Sequence, residues 1–446
     1  MSGSRLAGLL PELRWRGLVH ATTEGLEARL ATGAPLRAYN GFDPTFRSLH
    51  VGHLIPIFGL VRLQRFGAQP VAVVGGGTGL IGDPSGRSAE RPLLDRPAIQ
   101  ANVHAIRDQL AHYLDFAPGP TQALLVNNLD WLGDLRLLDF LRDIGKHFTL
   151  PYMLAKDSVQ VRLEKGLSFT EFSYMLLQAV DFQHLYRSYG VELQCGGADQ
   201  WGNITAGLEL IRRTAAPRHP DATGATEPAH GLAYPLLLNP SGAKFGKSES
   251  GESIWLDPAI TSPYRFYQYW LDAEDRDIGT YLRWFTLFDR ARIEELEAEQ
   301  AAHPEQHAAQ RALARDLTER THGRGAAERV ARVSELLFGG DPAAADAQTL
   351  ADLAAEIPAA AWPESEPGAD EQPGLDLVDV LVLAGTATSR GEARRLVEQG
   401  GVHVNGRFAV DLEQRFTTGD LLAGRFLIVR RGKRDYRVLV RGSAKA

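Results

Sequence analysis

The chain has 446 residues, of which 44% are hydrophobic and 23% charged, and this average composition excludes collagen-like, coiled-coil and wholly disordered proteins. No apolar run reaches the roughly 18–20 residues of a membrane helix. A single cysteine, Cys195, excludes an internal disulfide and a multi-cysteine zinc site. The first residues, interrupted by charges and Pro11, do not read as a signal peptide. We therefore expect a cytoplasmic protein with no membrane contact.

The net charge of −7 is unevenly distributed along the chain. Residues 375–446 carry 13 basic and 8 acidic side chains, a balance of +5, which leaves −12 for the rest. A basic terminal segment on an acidic body is typical of a module that binds a polyanion. An ordinary solvated basic face would give the same balance.

The first half of the chain alternates predicted strands with helices. One helix is predicted over 54–67, and apolar strands are predicted at four places, over 36–43, 70–76, 123–128 and 191–197. This alternation predicts a parallel sheet covered on both faces. Ligands of such sheets bind beyond the carboxyl ends of the strands, where this chain carries its unusual residues.

Two histidines follow the first strand in His50-Val-Gly-His53. Imidazoles and free backbone N–H groups at a helix N-terminus suit a phosphate group, and Gly52 lets a flat ligand such as adenine approach the backbone. A zinc pair or two surface histidines are the alternatives. No Cys, Asp or Glu nearby on that helix completes a zinc site.

A glycine-rich loop follows the second strand. Gly77-x-Gly79-x-x-Gly82 matches the dinucleotide-binding fingerprint, but Asp83-Pro84 comes directly after it, where a long helix should be running. We therefore favour a loop that displays Asp83 and then two arginines, Arg87 and Arg91.

A helix is predicted from Ser168, which begins a capping box with Glu171 and precedes a stop at Gly190. Three polar residues on it share one face, at positions i, i+4 and i+7: Tyr174, Gln178 and Asp181. They indicate a small polar ligand in a cleft or, alternatively, an exposed polar stripe.

Two later segments also carry chemistry. Asp199 follows a strand that ends in glycines, where it either caps the next helix or binds a ribose hydroxyl. Lys244-Phe-Gly-Lys247-Ser248 is one residue short of the usual phosphate-loop spacing, so it is either a lysine-bearing loop at a phosphate or an exposed basic turn.

In this order, the HVGH, GDPSG, GGADQWGN and KFGKS segments resemble those of the bacterial tyrosyl-tRNA synthetases, a family of class I aminoacyl-tRNA synthetases. The resemblance runs from about Leu10 to Val440. It implies tyrosine--tRNA ligase activity, with L-tyrosine, ATP and tRNA(Tyr) as substrates. It also implies a homodimer, and Mg²⁺ that accompanies ATP through its phosphates, with no tightly bound protein-ligated metal.

The resemblance also implies roles for individual residues. Tyr39 and Asp181 are expected at the phenolic hydroxyl of tyrosine. The remaining tyrosine contacts are expected from Asp83, Tyr174, Gln178 and Gln200. ATP and the adenylate are expected to contact Gly41, Asp43, His50, Gly52, His53, Gly197, Asp199 and Lys247. Catalytic groups at the phosphates are expected to be Thr45, His50, His53, Arg87, Arg91, Lys244 and Lys247.

Four domains are expected. The first is a Rossmann-like α/β catalytic domain over 1–240 with a helical connective region inserted at about 130–190, and the second is an all-α anticodon-binding domain with the KFGKS loop over 241–340. An acidic linker follows over 341–374, with one short helix expected around 348–355. The last is a small α+β S4-like RNA-binding domain over 375–446. In the last, Ser389 begins a capping box with Glu392, and Asn405-Gly406 predicts a hairpin turn.

Three other functions compete with this interpretation. The glycine fingerprint would fit an NAD-binding oxidoreductase, and the basic tail would fit an RNA-binding protein without catalysis. A tryptophanyl-type class I synthetase is the nearest rival. Asp181 together with Tyr39 favours a substrate that bears a hydroxyl group.

Overall fold

The computed structural model describes residues 3–83, 94–156, 159–160, 163, 166–214, 228–236, 252–363, 374–432 and 435–442. The chain divides into two compact units. Residues 1–261 with 271–313 form the first unit, and residues 262–270 with 314–446 form the second. Within the described ranges, none of the helices combines the length and the apolarity needed to cross a membrane.

The first unit is built on a six-stranded sheet. Its strands are β1 (Ala21–Thr22), β2 (Arg37–Phe42), β3 (Gln69–Val74), β4 (Leu124–Asn127), β5 (Leu193–Gly197) and β6 (His230–Tyr234). Their order is β1-β6-β5-β2-β3-β4, and every neighbouring pair is parallel except β1 with β6. The chain proceeds from β2 to one edge and then returns beside β2 as β5. The order therefore reverses between β2 and β5, which is where such sheets bind ligands.

Helices surround this sheet and continue into the second unit. In chain order they are α1 (Gly3–Leu6), α2 (Leu9–Trp15), α3 (Leu26–Ala31), α4 (Leu54–Arg65), α5 (Arg96–Leu110), α6 (Leu129–Leu132), α7 (Leu137–Asp139), α8 (Leu150–Leu154), α9 (Phe169–Tyr189), α10 (Trp201–Arg213), α11 (Pro263–Leu271), α12 (Asp275–Phe285), α13 (Arg290–Ala302), α14 (Ala308–His322), α15 (Arg324–Leu337), α16 (Ala347–Glu356), α17 (Leu377–Leu383) and α18 (Arg390–Glu398). A π-helical turn continues α7 over Phe140–Ile144.

The predicted strands and helices of the first half are confirmed to within two residues at each end. In β3 every residue after Gln69 is buried, as expected for a strand covered on both faces. At the start of α9, Ser168 accepts a hydrogen bond from the backbone N–H of Glu171. The helix ends where Gly190 takes a left-handed conformation with φ 64°, which glycine adopts without steric cost. The predicted α/β fold class is therefore correct.

Two buried arginines bind the carboxyl end of α12. Arg62, on α4, donates to the carbonyl oxygens of Arg283, Trp284 and Thr286 at 2.7–3.1 Å. Arg16 donates to the Arg283 and Thr286 oxygens as well, at 2.8 and 3.2 Å. Burial, with Arg16 nearby, lowers the pKa of Arg62 to about 9, so the guanidinium stays charged at pH 7. The positive charges satisfy carbonyls that a helix end leaves without intrahelical partners.

The second unit contains a five-stranded sheet in the order β10-β9-β12-β13-β7. Its strands are β7 (Ala359–Ala361), β9 (Val402–Val404), β10 (Arg407–Phe408), β12 (Phe426–Arg431) and β13 (Asp435–Val440), and a separate pair joins β8 (Leu375–Asp376) to β11 (Arg415–Phe416). The turn between β9 and β10 is formed by Asn405 and Gly406, both at positive φ. This is the hairpin that the Asn-Gly dipeptide predicts.

The segment predicted as a linker contains the one short helix expected there, which is observed as α16. It also contains β7, a strand that was not predicted, which pairs in parallel with β13. Leu350 and Leu353 of α16 are buried in one cluster with Val333 of α15 and Phe426 of β12. The alanine-rich, acidic composition obscured these few apolar anchors, which together attach the segment to the C-terminal sheet.

Replacement of Arg62 by alanine should destabilise the first unit. The change removes the arginine donor to the Trp284 oxygen and one of the two arginine donors to the Arg283 and Thr286 oxygens, so we expect a loss of about 2–4 kcal/mol in the free energy of unfolding. Urea unfolding followed by circular dichroism measures it. Arg65→Ala is the matched control, because Arg65 is exposed on the same helix and should cost less than about 0.5 kcal/mol. Equal losses for both variants would contradict the assigned role.

Candidate active site

A cavity of about 500 Å³ opens at the carboxyl ends of β2 and β5, where the strand order reverses. Its volume lies within the roughly 300–1,000 Å³ usual for small-molecule sites. The loops after β2, β3 and β5, the start of α4 and one face of α9 contribute its walls. Residues far apart in the sequence therefore meet at one edge of the sheet.

Most of the predicted site residues line this cavity. The structure brings together Tyr39, Gly41, Asp43, Thr45, His50, Gly52, His53, Asp83, Tyr174, Gln178, Asp181, Gly197, Asp199 and Gln200. The other predicted residues, Arg87, Arg91, Lys244 and Lys247, lie outside the described residues. The described chain reaches both of those segments from the cavity wall, because Asp83, Leu236 and Ser253 all line it.

Asp181 is the most deeply buried acid of the cavity, with 4% of its surface exposed. The side-chain amide of Asn128 donates to its Oδ2 at 2.9 Å, and the indole Nε1 of Trp131 donates to its Oδ1 at 2.7 Å. Burial raises the pKa of Asp181 to about 8, although the two hydrogen bonds oppose this shift. The carboxyl group is therefore fixed in orientation, and it titrates near neutral pH.

Two enclosed polar atoms on β2, in residues that line the cavity, have no hydrogen-bond partner among the described residues. The hydroxyl of Tyr39 is fully enclosed, and burial together with Asp181 raises the pKa of Tyr39 well above its ordinary value. Oδ1 of Asn40 is the second such atom, although the Asn40 amide nitrogen donates to the carbonyl oxygen of Gly41 at 3.0 Å. Because an unpaired buried polar group is costly, both atoms suit contact with a polar ligand.

Asp43 connects the glycine loop to α9. Its Oδ1 accepts from the hydroxyl of Thr78 and its Oδ2 from the hydroxyl of Tyr174, both at 2.8 Å. The amide of Asn128 donates to Thr78 in turn, at 2.9 Å. This network joins Asp43 to the same asparagine that holds Asp181. The geometry therefore gives Asp43 a supporting role for Tyr174.

The glycines of the loop provide room for this network. A Cβ atom on Gly75 would lie 2.2 Å from Oδ1 of Asp43, and one on Gly76 would lie 2.2 Å from Oδ1 of Asn127. The backbone N–H groups of Gly76 and Gly77 already donate to Asn127 and Asn128. In a dinucleotide-binding loop the backbone must approach a pyrophosphate. The fingerprint match is therefore coincidental.

Backbone N–H groups hold both histidine rings in fixed orientations. The N–H of Gly52 donates to Nδ1 of His50 at 3.0 Å, and the N–H of His50 donates to Nδ1 of His53 at 3.1 Å. Because Nδ1 is the acceptor in both rings, each neutral imidazole carries its proton on Nε2. Two ring N–H donors at the cavity wall suit phosphate oxygens.

A chain of amides supports the acidic side of the cavity. The amide of Asn203 donates to Oε1 of Gln178 at 2.8 Å and to Oε1 of Gln200 at 3.1 Å. Gln200 donates to Oδ2 of Asp83 at 2.5 Å. These contacts orient both glutamine oxygens and the Asp83 carboxylate around one part of the cavity. The oxygen atoms can there accept hydrogen bonds from the N–H groups of a cation.

Several important residues were missed by the sequence analysis. Asn128 and Trp131 follow β4 at the same edge of the sheet, so the rule that ligands bind beyond strand ends could have found them. Phe46 and Trp255, with ring centroids 4.5 Å apart, form an aromatic wall of the cavity and gave no signal. Among the described residues no cluster of three or more His, Cys, Asp or Glu side chains is arranged to hold a metal.

Comparison with known proteins places this cavity in a family. Residues 31–339 match the family model of class I tRNA synthetases for tryptophan and tyrosine, and residues 356–439 match the SYY-like C-terminal domain of tyrosine--tRNA ligases. The chain belongs to the tyrosyl-tRNA synthetases. The second match begins at residue 356, ahead of the S4-like domain start predicted at residue 375.

Individual relatives agree with this assignment. The chain is 49% identical over 433 residues to the tyrosine--tRNA ligase of Roseiflexus castenholzii and 50% identical over 432 residues to that of Anaeromyxobacter dehalogenans, covering 97% of this chain and 99% of each relative. The crystal structure of a truncated mitochondrial tyrosyl-tRNA synthetase from Aspergillus nidulans is 30% identical. It superposes with a TM-score of 0.66 over 74% of this chain and 94% of its own. The predicted family resemblance is confirmed.

Proposed function

We propose that this cavity joins L-tyrosine to ATP and then passes the tyrosyl group to the 3′ end of tRNA(Tyr). One observation carries the proposal. The hydroxyl of Tyr39 and the carboxyl of Asp181 meet at the buried wall of a cavity that also contains two histidines. Such a wall accepts a side chain that is aromatic in its body and polar at its tip, whereas a phenyl ring would leave these groups unpaired.

A second acid, Asp83, would bind the positively charged α-ammonium group of the amino acid. Asp83 lies with Gln178, Gln200 and Tyr174 around one part of the cavity, where their oxygen atoms can surround an ammonium group. Asp83 neutralises the charge while Asp181 accepts the phenolic proton in a hydrogen bond. The two carboxylates thus recognise the two ends of tyrosine.

Activation needs no nucleophile from the protein. An oxygen of the substrate carboxylate attacks the α-phosphorus of ATP, the bond from that phosphorus to its bridging oxygen breaks, and pyrophosphate leaves. A hydroxyl of the terminal tRNA ribose then attacks the carbonyl carbon of the adenylate, and AMP leaves. The only cysteine does not compete, because burial raises the pKa of Cys195 to about 12 and keeps its thiol protonated.

Rate enhancement then depends on orientation and on stabilising negative charge at the phosphates. Nε2–H groups of His50 and His53 would donate to the phosphate oxygens, and Thr45 also lines the cavity. Arg87, Arg91, Lys244 and Lys247 would add positive charge at the phosphates. Mg²⁺ would be held by ATP phosphate oxygens and would neutralise part of their charge.

Gly41, Gly52, Gly197 and Asp199 line the part of the cavity we assign to the nucleoside. A Cβ atom on Gly41 would contact nothing within 4 Å, so the backbone there stands open to a ligand. Asp199, in the turn after β5, is placed to accept from ribose hydroxyls, as acids at strand ends do in nucleotide sites.

The second unit would hold the tRNA. Arg394 and Arg395 are exposed on α18, and Arg407 is exposed on β10. Lys and Arg side chains bind nucleic-acid backbones by releasing counterions, which makes the contact sensitive to salt. The helices before this sheet would form the anticodon-binding part.

A homodimer would cover an apolar surface of the first unit. Leu137, Leu138, Leu150 and Phe169 are 64–77% exposed, an unusual set for so short a stretch of chain. Phe169 begins α9, the helix that carries Tyr174, Gln178 and Asp181. A second copy bound there would stabilise the helix on which tyrosine recognition depends.

The decisive experiment is ATP–pyrophosphate exchange with each of the twenty amino acids in turn. We expect exchange with tyrosine and at most weak exchange with phenylalanine or tryptophan. Charging of bulk tRNA with radioactive tyrosine tests the second step. Exchange that prefers tryptophan, or exchange with no amino acid, would refute the proposal.

Selection of tyrosine over phenylalanine should increase from pH 7 to pH 9. Burial raises the pKa of Asp181 to about 8, so the ionised acceptor develops only as the pH rises through that value. The measurement is the ratio of kcat/KM for tyrosine to that for phenylalanine, because titration of the shared amino group cancels in it. Asp181→Ala should lower the ratio about 10- to 100-fold and remove its pH dependence. A flat profile for the wild type would contradict this role.

Lys247→Ala should slow adenylate formation more than it weakens tyrosine binding, because the ammonium group meets charge that develops on the phosphates. We expect kcat for exchange to fall about 100-fold with KM for tyrosine nearly unchanged. The control is Lys146→Ala, which removes an exposed lysine outside the cavity. An increase in KM alone would show a binding role instead.

Arg394→Ala with Arg395→Ala should weaken tRNA charging and leave ATP–pyrophosphate exchange intact. We expect kcat/KM for tRNA to fall about tenfold and its salt dependence to become shallower. The corresponding double lysine variant keeps the charge and should remain near wild type. Because α15 and α16 pack on the C-terminal sheet, these substitutions are preferable to a truncation at residue 374. Unchanged charging at moderate salt would exclude α18 from tRNA binding.

Phe169→Asp should convert a dimer to a monomer of 48.8 kDa. The acid is tolerated at a helix N-terminus, so α9 should still form while the apolar contact is lost. Sedimentation equilibrium gives the mass of both proteins. Phe338→Asp, an exposed phenylalanine of the second unit, is the control and should remain a dimer. A monomeric wild type would overturn this part of the proposal.

A further inference from the structure

His184 stacks on the indole that holds Asp181. The rings of His184 and Trp131 have centroids 4.6 Å apart and planes inclined by only 14°. Offset stacking at this separation is a favourable arrangement of aromatic rings. The same indole donates from Nε1 to Oδ1 of Asp181 at 2.7 Å. The indole of Trp131 is therefore hydrogen-bonded to Asp181 at one edge and stacked on the His184 ring at one face.

Both supports of the indole come from a single helix. Asp181 and His184 are three residues apart on α9, so their side chains lie on one face about one turn apart. Trp131 itself belongs to α6, a helix of only four residues, which is too short to be stable without tertiary contacts. The position of the indole is thus determined by α9 and by its neighbours in the core cluster that includes Tyr39 and Phe182.

A third aromatic ring lies near the imidazole. Tyr189, near the end of α9, lies with its ring centroid 5.9 Å from that of His184. Partial burial lowers the pKa of His184, so the ring is neutral at pH 7. The contact with Trp131 is therefore a packing of two uncharged rings, and a planar apolar side chain can replace the imidazole.

We propose that His184 is a positioning residue for substrate selection, which keeps the Trp131 indole in the orientation that fixes the Asp181 carboxylate. This inference rests on the proposed function, since it takes Asp181 as the group that inspects the phenolic hydroxyl. Without the ring at position 184 the indole can tilt, its hydrogen bond to Oδ1 lengthens, and the carboxylate is held only by Asn128. A less rigid acceptor discriminates less well between a substrate with a hydroxyl and one without.

Steady-state exchange with three variants tests the proposal. His184→Ala should lower kcat/KM for tyrosine about 3- to 10-fold, leave kcat/KM for phenylalanine and KM for ATP unchanged, and so narrow the discrimination by the same factor. His184→Phe should restore the wild-type ratio. His104→Ala, an exposed histidine on α5, is the control and should change nothing. Unaltered discrimination in His184→Ala, equal losses for both amino acids, or no rescue by phenylalanine would each overturn the proposal.

A second measurement does not depend on activity. Acrylamide quenching of the fluorescence of Trp131, taken as the difference between each protein and its Trp131→Phe counterpart, should increase in His184→Ala and return to the wild-type level in His184→Phe. Quenching that is the same in all three would overturn the proposal even if exchange were altered. If the wild type showed no tyrosine-dependent exchange, the proposed function would fail, while the quenching would still report whether His184 holds the indole.

Discussion

Two hydrogen bonds to a buried carboxyl group determine the chemistry of this cavity. Asn128 and Trp131 hold both oxygens of Asp181 where burial alone would favour a neutral acid. Burial of an ionisable group such as Asp181 costs free energy, and the rest of the fold has to compensate for that cost. The sheet provides this compensation by ending β4 just ahead of Asn128 and Trp131, and by placing α9 alongside them.

The same asparagine joins recognition to the glycine loop. Asn128 accepts from the N–H of Gly77 and donates to both Thr78 and Asp181, so its amide nitrogen and its carbonyl oxygen both have defined partners. Thr78 binds Asp43, and Asp43 binds Tyr174. The space at Gly75 and Gly76 that this network occupies explains why small residues are needed there. The loop is therefore shaped by the side chains that it accommodates rather than by a phosphate.

Site residues can be predicted from the sequence where local chemistry and position coincide. Strand ends followed by polar residues identified Asp43, Asp83 and Asp199, and helical spacing placed Tyr174, Gln178 and Asp181 on one face, since both rules depend only on backbone geometry. Roles that depend on tertiary contacts were not visible. Nothing in the chain order links Trp131 to Asp181 or to His184, which lie about fifty residues away.

The segment over 341–374 shows why composition alone is a poor guide to structure. Its acidic, alanine-rich composition is typical of a linker, yet Leu350, Leu353 and Trp362 are buried. Three apolar side chains are enough to fix the segment because β13 offers an edge with which β7 can pair. The average composition of the segment hardly changes when only a few of its residues are apolar. The buried leucines therefore cannot be recognised from composition.

The double support of Asp181 also bears on attempts to redesign the pocket for other amino acids. If that acid alone were exchanged for an apolar residue, Asn128 and Trp131 would each lose the carboxyl oxygen to which they donate. An engineered variant would then carry a defect unrelated to its new substrate. A successful redesign therefore has to replace Asp181, Asn128 and Trp131 together.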